Sequence, residues 1–352
     1  MKKILLLISC SLILWNSCTT DFDVNAEFKE VAVVYGLLDL SETTNYIRIN
    51  RAFLQDDVSA LLLAEDPDQI YYDERLEVSV EEYAGSTRIG TYALDRVSGD
   101  SLGLPKNTGI FANVPNILYR LERELNPDNV YRLRATSTEL EIDITAETPI
   151  INDFNVSKPN PNPGPSTSLN FATLSDFQVR WNNGKNAKIY DLQLLVFYHE
   201  SDVLDIDNVI KDSVLNWTVL RNKVVTNPEG SAGLDFDISR NGFYSFLNSE
   251  FNADDAVVRF VDSLQFRFLA GSETLYQYIQ FNEAQLGLSA NDITAEFTNV
   301  EGGIGLFASR YNQYTPKYRL SNQSLDTVGC GRISGGLNFA PSPTYPFFPF
   351  CQ

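Results

Sequence analysis

Alternating apolar and polar side chains dominate the first half of the chain and predict short β-strands. In residues 75–83, apolar Leu76, Val78 and Val80 are separated by polar side chains, which is the period of a strand with one buried face. Further strand-length segments, alternating or continuously apolar, lie at 31–38, 45–53, 87–97, 116–122, 130–137 and 141–150. Short strands in this number, with turn residues between them, predict an antiparallel β-sandwich of the immunoglobulin or fibronectin type III kind.

Residues 58–74 interrupt this pattern. The segment begins with a helix-like apolar cluster and continues into an acidic stretch that carries Tyr71 and Tyr72, so we interpret it as an insertion on the sandwich. Adjacent tyrosines on an acidic loop can stack on sugar rings or dock into a protein groove, which makes them candidate partner-binding residues. The alternative is that one of them packs the insertion onto the sandwich.

A local motif near residue 130 supports the sandwich. Leu125, Pro127 and Tyr131 have the spacing L-x-P-x-x-x-Y, which resembles the tyrosine corner of immunoglobulin-like and fibronectin type III domains. In that motif the tyrosine hydroxyl bonds to backbone a few residues upstream and fixes the crossing between sheets. The alternative is an ordinary hairpin with a tyrosine on one strand.

A proline-rich segment at 157–170 divides the chain. Four prolines occupy every second position from 159 to 165, and such a segment runs extended because it cannot donate regular ladder hydrogen bonds. We therefore predict an N-terminal domain over 18–156 and a C-terminal domain over 171–330, joined by a stiff spacer. The alternative is a loop that lies on the surface of one domain.

The second half combines strands with helical patterns. Segments of strand character lie at 176–181, 189–198, 216–225, 256–271 and 297–311. Residues 241–251 place Phe243, Phe246, Leu247 and Phe251 on one helical face, and 272–287 has a helix pattern with Ser272 as its predicted N-cap. The predicted fold class is therefore mostly β, with two immunoglobulin/fibronectin-III-like β-sandwich domains, the second with helical insertions.

Charge and length narrow the class of partner. The chain has 352 residues and a formal net charge of −19, and it has no basic stripe that would follow phosphates, so we expect no nucleic acid partner. Apolar residues make up 43% of the chain, which is enough for two cores. The negative net charge has two explanations. It makes the protein soluble, or it keeps the protein monomeric until it binds a specific surface.

The N-terminus has the pattern of an export signal. Two lysines precede a mostly apolar run that is too short to span a bilayer, and Ser17-Cys18 resembles a bacterial lipobox. We predict a signal peptide over 1–17 and a lipid on Cys18, with Asp21 and Asp23 resembling a surface-export signal. The alternatives are lipidation at Cys10 or an ordinary signal peptide with an incidental cysteine.

The remaining cysteines, Cys330 and Cys351, lie near the C-terminus. In an oxidising compartment their pairing closes a loop of about 20 residues and contributes about 3 kcal/mol in the entropic treatment. A metal site is the alternative, but it lacks ligands, because the single histidine, His199, is far away in sequence.

The tail at 331–352 is rich in proline and aromatic residues. Exposed aromatic side chains would form a costly apolar patch on a lone soluble protein. We expect the tail to fold back over the C-terminal domain, and burial against a partner is the alternative. The candidate partner-binding residues of the tail are Tyr345, Phe347, Phe348 and Phe350.

The sequence contains no catalytic constellation. His199 at a strand end is a typical surface histidine, and the glycines of 301–310 lack the ending of a phosphate-binding loop. Residues 202–212 and 66–74 contain clustered carboxylates, but without EF-hand spacing we interpret them as solvated acidic loops. We therefore predict no enzyme activity, no cofactor and no metal.

Several segments together resemble a known family. VVYGLLD, YIRINRAFL, DPDQIYYDERLEV, YQYIQ and FTNVEGGIGLFASRY occur in an order and spacing similar to a group of outer-membrane lipoproteins of Bacteroidota that contain a domain of unknown function. The resemblance covers residues 20 to 310. It implies association with TonB-dependent transporters or other outer-membrane β-barrel proteins, and it brings no catalytic residues with it.

These observations lead to one leading function and two alternatives. We expect a non-enzymatic outer-membrane lipoprotein, lipid-anchored and exposed on the cell surface, that acts as an accessory subunit of a β-barrel complex. A surface lipoprotein that binds glycan or peptide is the first alternative, and it depends on Tyr71 and Tyr72 as an exposed platform. A hydrolase is disfavoured by the missing constellation.

Overall fold

The computed structural model describes residues 31–52, 63–109, 111–226, 230–285 and 297–351. The predicted signal peptide, Cys18, Cys10 and the first part of the 58–74 insertion lie outside the described residues. No helix in the described ranges is long and apolar enough to cross a bilayer.

Strands make up 49% of the structure and helices 14%, which confirms the mostly β class. The strands are β1 Ala32–Asp39, β2 Thr44–Arg51, β3 Glu77–Ala84, β4 Thr87–Ala93, β5 Asp95–Ser98, β6 Ile117–Glu122, β7 Val130–Ser137, β8 Ile142–Pro149, β9 Val156–Lys158, β10 Ser168–Leu169, β11 Phe177–Asn182, β12 Ala187–Asp202, β13 Asp205–Val224, β14 Gly233–Ile238, β15 Val257–Ser272, β16 Gly303–Tyr314 and β17 Arg319–Leu320. The helices are α1 Pro67–Ile70, α2 Arg240–Glu250, α3 Glu273–Gln285 and α4 Asn322–Cys330, with a 3-10 turn at Asp100–Leu102.

One large sheet carries both hydrophobic cores. Its eight strands run in the order β13-β12-β15-β16-β1-β2-β6-β5. The N-terminal core lies between β16, β1, β2 and β6 of this sheet and the four-stranded sheet β4-β3-β7-β8. The C-terminal core lies between β12 and β15 and the three-stranded sheet β14-β11-β9, with α2 and α4 closing its sides. The structure is therefore two sandwiches that share one sheet.

Strand β16 joins the two sandwiches. It pairs in parallel with β1, from Ala32 opposite Gly303 to Asp39 opposite Arg310, and it pairs antiparallel with β15 on its other side. Phe307 of β16 is fully buried in the N-terminal core, although its residue number falls within the range predicted as the C-terminal domain.

The approach of β16 to β1 depends on a glycine. Gly305 has a φ of +115°, and a Cβ built there would lie 2.1 Å from the carbonyl oxygen of Val34. A side chain at this position would force the parallel ladder apart, so Gly305 has a specific steric role within the strand predicted at 297–311.

The proline-rich segment packs on the C-terminal half. β9 pairs with β11 at its start, and β10 pairs with β17 at its end. Between them the Tyr318 hydroxyl donates to the carbonyl oxygen of Asn160 at 2.9 Å. The segment is therefore a loop on the surface of the C-terminal half, which was the alternative. The prediction of a stiff spacer between two separate domains is wrong.

The acidic segment 202–212 is also corrected, because it forms the end of β12 and the start of β13. Strand β13 has 20 residues and is an edge strand of the large sheet among the described strands. An edge strand exposed to solvent accommodates aspartates on its outer face while its backbone hydrogen-bonds to β12. The acidic composition of this segment is therefore compatible with a strand, and the predicted loop is wrong.

The helical insertions were predicted within one or two residues. Helix α2 buries Phe243, Tyr244 and Leu247, and Phe243 stacks on Phe171 with ring centroids 4.6 Å apart. Helix α3 begins after Ser272, whose Oγ accepts from the Leu275 amide at 3.5 Å, as expected of the predicted N-cap.

Candidate functional site

The C-terminal tail is held by a disulfide between Cys330 and Cys351, with Cα atoms 5.4 Å apart, which confirms the predicted pairing. Cys330 is the last residue of α4. That helix is capped at its start by Ser321, whose Oγ accepts from the Ser324 amide at 3.2 Å. Because α4 packs Val328 into the C-terminal core, the far end of the tail is fixed to a rigid element.

The backbone of the tail folds back as expected. Pro341 and Ser342 are buried, and the Ser342 amide donates to Asp326 Oδ1 at 2.9 Å. Two tight turns follow, in which Phe348 bonds to the carbonyl of Tyr345 and Phe350 to that of Phe347. We call residues 341–351 the tail loop.

The aromatic side chains of the tail loop do not follow its backbone into the core. Phe347, Phe348 and Phe350 are 59%, 37% and 39% exposed, and Tyr345 is partly buried. The expectation that fold-back would hide these rings is therefore wrong. Two turns within a short disulfide-closed loop leave the rings no route to the core. We call Phe347, Phe348 and Phe350 the aromatic patch.

The aromatic patch adjoins the outer face of the large sheet. The ring of Phe348 lies 6.4 Å from the ring of Phe260 on β15, and Phe260 stacks on His199 of β12 at 4.8 Å with an interplanar angle of 13°. Phe260 therefore connects the tail loop to the centre of the strand trio β13-β12-β15.

Tyr71 and Tyr72 do not form an exposed platform. They are 6% and 2% exposed. Tyr72 packs in the N-terminal core, and Tyr71 packs with Ile70 and Ile117 in a small satellite cluster. This corrects the predicted partner-binding role, and it agrees with the alternative that tyrosines of the insertion pack it onto the sandwich.

A cavity of about 280 Å³ lies beside these tyrosines, but its charged groups bond to one another. Arg75 lies 2.6 Å from Asp73, which holds the pKa of the Asp73 carboxyl at about 2. Arg96 donates to the carbonyl oxygen of Tyr72 at 3.2 Å. Tyr71 and Tyr72 line this cavity, but they are 6% and 2% exposed, so they present little aromatic surface to a sugar ring.

Tyr131 occupies a tyrosine corner. Its hydroxyl accepts from the Asn126 amide at 2.8 Å, the bond that the L-x-P-x-x-x-Y spacing predicts. The same hydroxyl donates to Glu82 Oε1 at 2.9 Å. Leu125 of the motif is buried in the N-terminal core, and Pro127 lies in the turn before β7.

The second half repeats this arrangement at Tyr190, which lies in the strand predicted at 189–198 and for which no tyrosine corner was predicted. The Tyr190 hydroxyl accepts from the Gly184 amide at 2.8 Å and donates to Asn183 Oδ1 at 2.9 Å. Burial raises the pKa of Tyr190 well above its usual range. The signal available in the sequence was Asn183-Gly184, a turn dipeptide between the predicted strands that carry Trp181 and Tyr190.

His199 is the single histidine of the chain, so a catalytic triad that uses histidine as its base would have to include it. Its Nδ1 lies 2.7 Å from Asp262 Oδ1. Among the described residues, its hydrogen-bond partner is therefore a carboxylate and not the hydroxyl or thiol of a nucleophile.

Comparisons with known proteins found little. No family model matches the chain, and no curated protein matches it. Among solved structures, the C-terminal globular domain of oligosaccharyltransferase from Pyrococcus abyssi aligns at 8% identity with a TM-score of 0.20. The alignment covers 83% of this chain but only 50% of that one. The assignment of fold class therefore depends on the strands and sheets described above.

Proposed function

We propose that this protein is a non-enzymatic, surface-exposed outer-membrane lipoprotein that acts as an accessory subunit of an outer-membrane β-barrel complex, such as a TonB-dependent transporter. The observation that carries the proposal is the aromatic patch, three phenylalanines that the Cys330–Cys351 disulfide keeps at the surface. Burying a fully exposed phenylalanine side chain contributes about 1.5–3 kcal/mol. These rings are 37–59% exposed, so a partner that covers the patch gains part of that free energy from each ring.

The form of the patch supports protein docking. Aromatic anchors dominate the energetics of protein interfaces, and they bind tightest when they are rigid before binding. Here the tail loop is fixed by a disulfide at Cys351 and by the Ser342–Asp326 hydrogen bond at its start. Little conformational entropy is then lost when the phenyl rings are covered.

The predicted lipid on Cys18 supports a membrane partner. An anchored protein diffuses in two dimensions, and weak contacts with a neighbouring membrane protein persist because the effective concentration is high. The resemblance to Bacteroidota lipoproteins supports an outer-membrane β-barrel as the partner. The glycan- or peptide-binding alternative is weakened, because Tyr71 and Tyr72 are buried.

The proposal is tested by purification from membranes at endogenous expression after mild cross-linking. We expect a β-barrel protein to co-purify with the wild-type chain and to be lost when Phe347, Phe348 and Phe350 are all replaced by alanine. Leu174→Ala is the matched control, because Leu174 is 94% exposed on a different loop. A wild-type protein that migrates alone even after cross-linking would contradict the proposal, and specific binding to a glycan array would favour the alternative.

A further inference from the structure

Three strands of the large sheet bring metal-ligating side chains together on their solvent face. His199 on β12 is directly opposite Asp212 on β13, and on its other side it is opposite Phe260 of β15, two residues before Asp262. Directly opposed residues in antiparallel strands have Cβ atoms about 5 Å apart. Nitrogen and oxygen atoms from His199, Asp212 and Asp262 all lie within 4.8 Å of one another.

We propose that His199, Asp212 and Asp262 bind a divalent transition-metal ion such as Zn²⁺. One imidazole and two carboxylates are a common ligand set for such ions. The imidazole distinguishes this class from Ca²⁺ and Mg²⁺, which prefer oxygen ligands alone. The proposal concerns a second surface of the molecule and goes beyond the docking role of the aromatic patch.

A β-bulge gives Asp262 its place in the group. The β12–β15 register shifts between Phe197, which is opposite Ser263, and Tyr198, which is opposite Val261, so that Asp262 is an extra residue of β15 between them. Bulges of this kind redirect a side chain at functional sites. Here the extra residue brings the Asp262 carboxylate to 2.7 Å from His199 Nδ1.

The imidazole of His199 is held in a defined orientation. Its ring stacks on Phe260 at 4.8 Å, and one ring nitrogen is fixed by Asp262. A ring stacked on one face loses little rotational freedom when it binds a metal, which favours binding. Nδ1 and Asp262 both bind the ion when the imidazole carries its proton on Nε2, so that the ion lies where a proton would otherwise join them. With 24% of its side chain exposed, it remains accessible to an ion from solvent.

Asp212 completes the site. Its carboxylate makes no hydrogen bond or ion pair with another described residue, whereas Asp262 is already engaged by the imidazole. Two carboxylates beside one imidazole provide negative charge that a divalent cation would balance. Tetrahedral coordination separates ligand atoms by about 3.3 Å at bond lengths near 2.05 Å. Rotation of the exposed Asp212 side chain, together with separation of His199 Nδ1 and Asp262 Oδ1 from 2.7 Å to this distance, closes the site.

Three protein ligands leave at least one coordination position open to solvent. That position lies on the same face as Phe260, which contacts Phe348 of the aromatic patch. A water molecule, or a ligand atom from another protein, would complete the shell at the margin of the tail loop.

The test is isothermal titration of Zn²⁺ into the full-length protein, extracted from membranes, stripped with a chelator and exchanged into detergent buffer. We expect one ion per chain with a dissociation constant in the micromolar range. Asp212→Asn and His199→Gln should each weaken binding at least tenfold. The control is Asp207→Asn, which removes the same charge from an exposed position of the same strand and should leave binding unchanged.

Cobalt gives a second readout that a diffuse acidic surface would not produce. Co²⁺ bound by an imidazole and two carboxylates shows visible d–d absorption, which His199→Gln should alter in shape and intensity. The proposal is overturned if the wild type binds no Zn²⁺. It is also overturned if Asp207→Asn weakens binding as much as Asp212→Asn, or if His199→Gln leaves both the affinity and the cobalt spectrum unchanged.

Discussion

Arg310 donates from Nε to Asp39 Oδ2 at 3.1 Å, although the two residues are 271 positions apart in the chain. The same carboxylate oxygen accepts from Asn312 Nδ2 at 2.6 Å, and Ser41 bonds to the other oxygen. Asp39 is buried at the end of β1. It therefore ties the first strand of the structure to β16 through side chains as well as through the backbone ladder.

Replacement of Asp39 by alanine should lower the free energy of unfolding by about 2 kcal/mol. The substitution leaves the donors of Arg310 and Asn312 without their buried acceptor. Urea unfolding followed by tryptophan fluorescence measures the change. Asp95→Ala is the matched control, because Asp95 pairs with Arg120 on the exposed surface and should cost less than about 1 kcal/mol. Equal effects of the two substitutions would contradict this account.

Tyr131→Phe should destabilise the N-terminal sandwich by about 1–3 kcal/mol, since the Asn126 amide and Glu82 both lose a buried partner. Tyr314→Phe, at a half-exposed position of β16, should have little effect. The free energy of unfolding of each variant, measured in urea at neutral pH, checks the difference. A Tyr131→Phe protein as stable as the wild type would mean that the corner bond contributes nothing net.

Glu82 should make stability depend on pH in the acidic range. Burial alone would raise the pKa of its carboxyl. Hydrogen bonds from Asn129, Tyr92 and Tyr131 and the charge of Arg123 outweigh burial, so the pKa is lowered from its usual 4.5. A lowered folded-state pKa gives stability that is present above the unfolded-state value and is lost as the pH falls below it.

The measurement compares the wild type with Glu82→Gln across pH 3 to 7. The wild type should be the more stable protein at pH 7, and the difference should shrink below about pH 4.5. A difference that stays constant across this range would show that the carboxylate charge is not the stabilising element.

Replacing Cys351 by serine should loosen the tail loop and lower the free energy of unfolding by up to about 3 kcal/mol. Non-reducing peptide mapping of the wild type should recover one cross-linked pair that contains Cys330 and Cys351. Limited proteolysis should then cut the variant, and not the wild type, within residues 343–350. Recovery of both cysteines as free thiols from freshly isolated protein would remove the basis for a rigid aromatic patch.

Cys18→Ala should release the protein from membranes and prevent processing by the lipoprotein peptidase. Fractionation in high salt measures the first effect, and mass spectrometry of the mature N-terminus measures the second and distinguishes Cys18 from Cys10. A variant that still fractionates with membranes and is processed normally would show that the lipidation prediction is wrong.

Local sequence patterns predicted individual strands and helices better than they predicted which strands pair with one another. The alternation of residues 75–83 became β3, and the apolar stripe with Phe243 and Leu247 became α2, because each depends on the period of a single segment. Nothing within residues 297–311 indicates that this strand pairs with β1. That choice is made by shape and burial across the whole chain.

The candidate sites show the same limit. The Cys330–Cys351 pairing followed from counting cysteines, but the exposure of Phe347 depends on turn geometry that composition does not contain. His199 and Asp262 are 63 residues apart, and only the register of three strands, with one bulge, brings them together. An acidic run beside Tyr71 gave no sign that the ring faces inward.

The parallel pairing of β1 with β16 also affects the order in which the protein folds. When only the residues up to the proline-rich segment have folded, the N-terminal half has its four-stranded layer, but the opposing layer lacks the strand that supplies Phe307. Closing this core requires a contact across about 270 residues, and contacts of such length form slowly. The first of the described strands therefore completes its pairing only when one of the last is in place, and until then the exposed apolar side chains of the N-terminal core are vulnerable to aggregation and proteolysis.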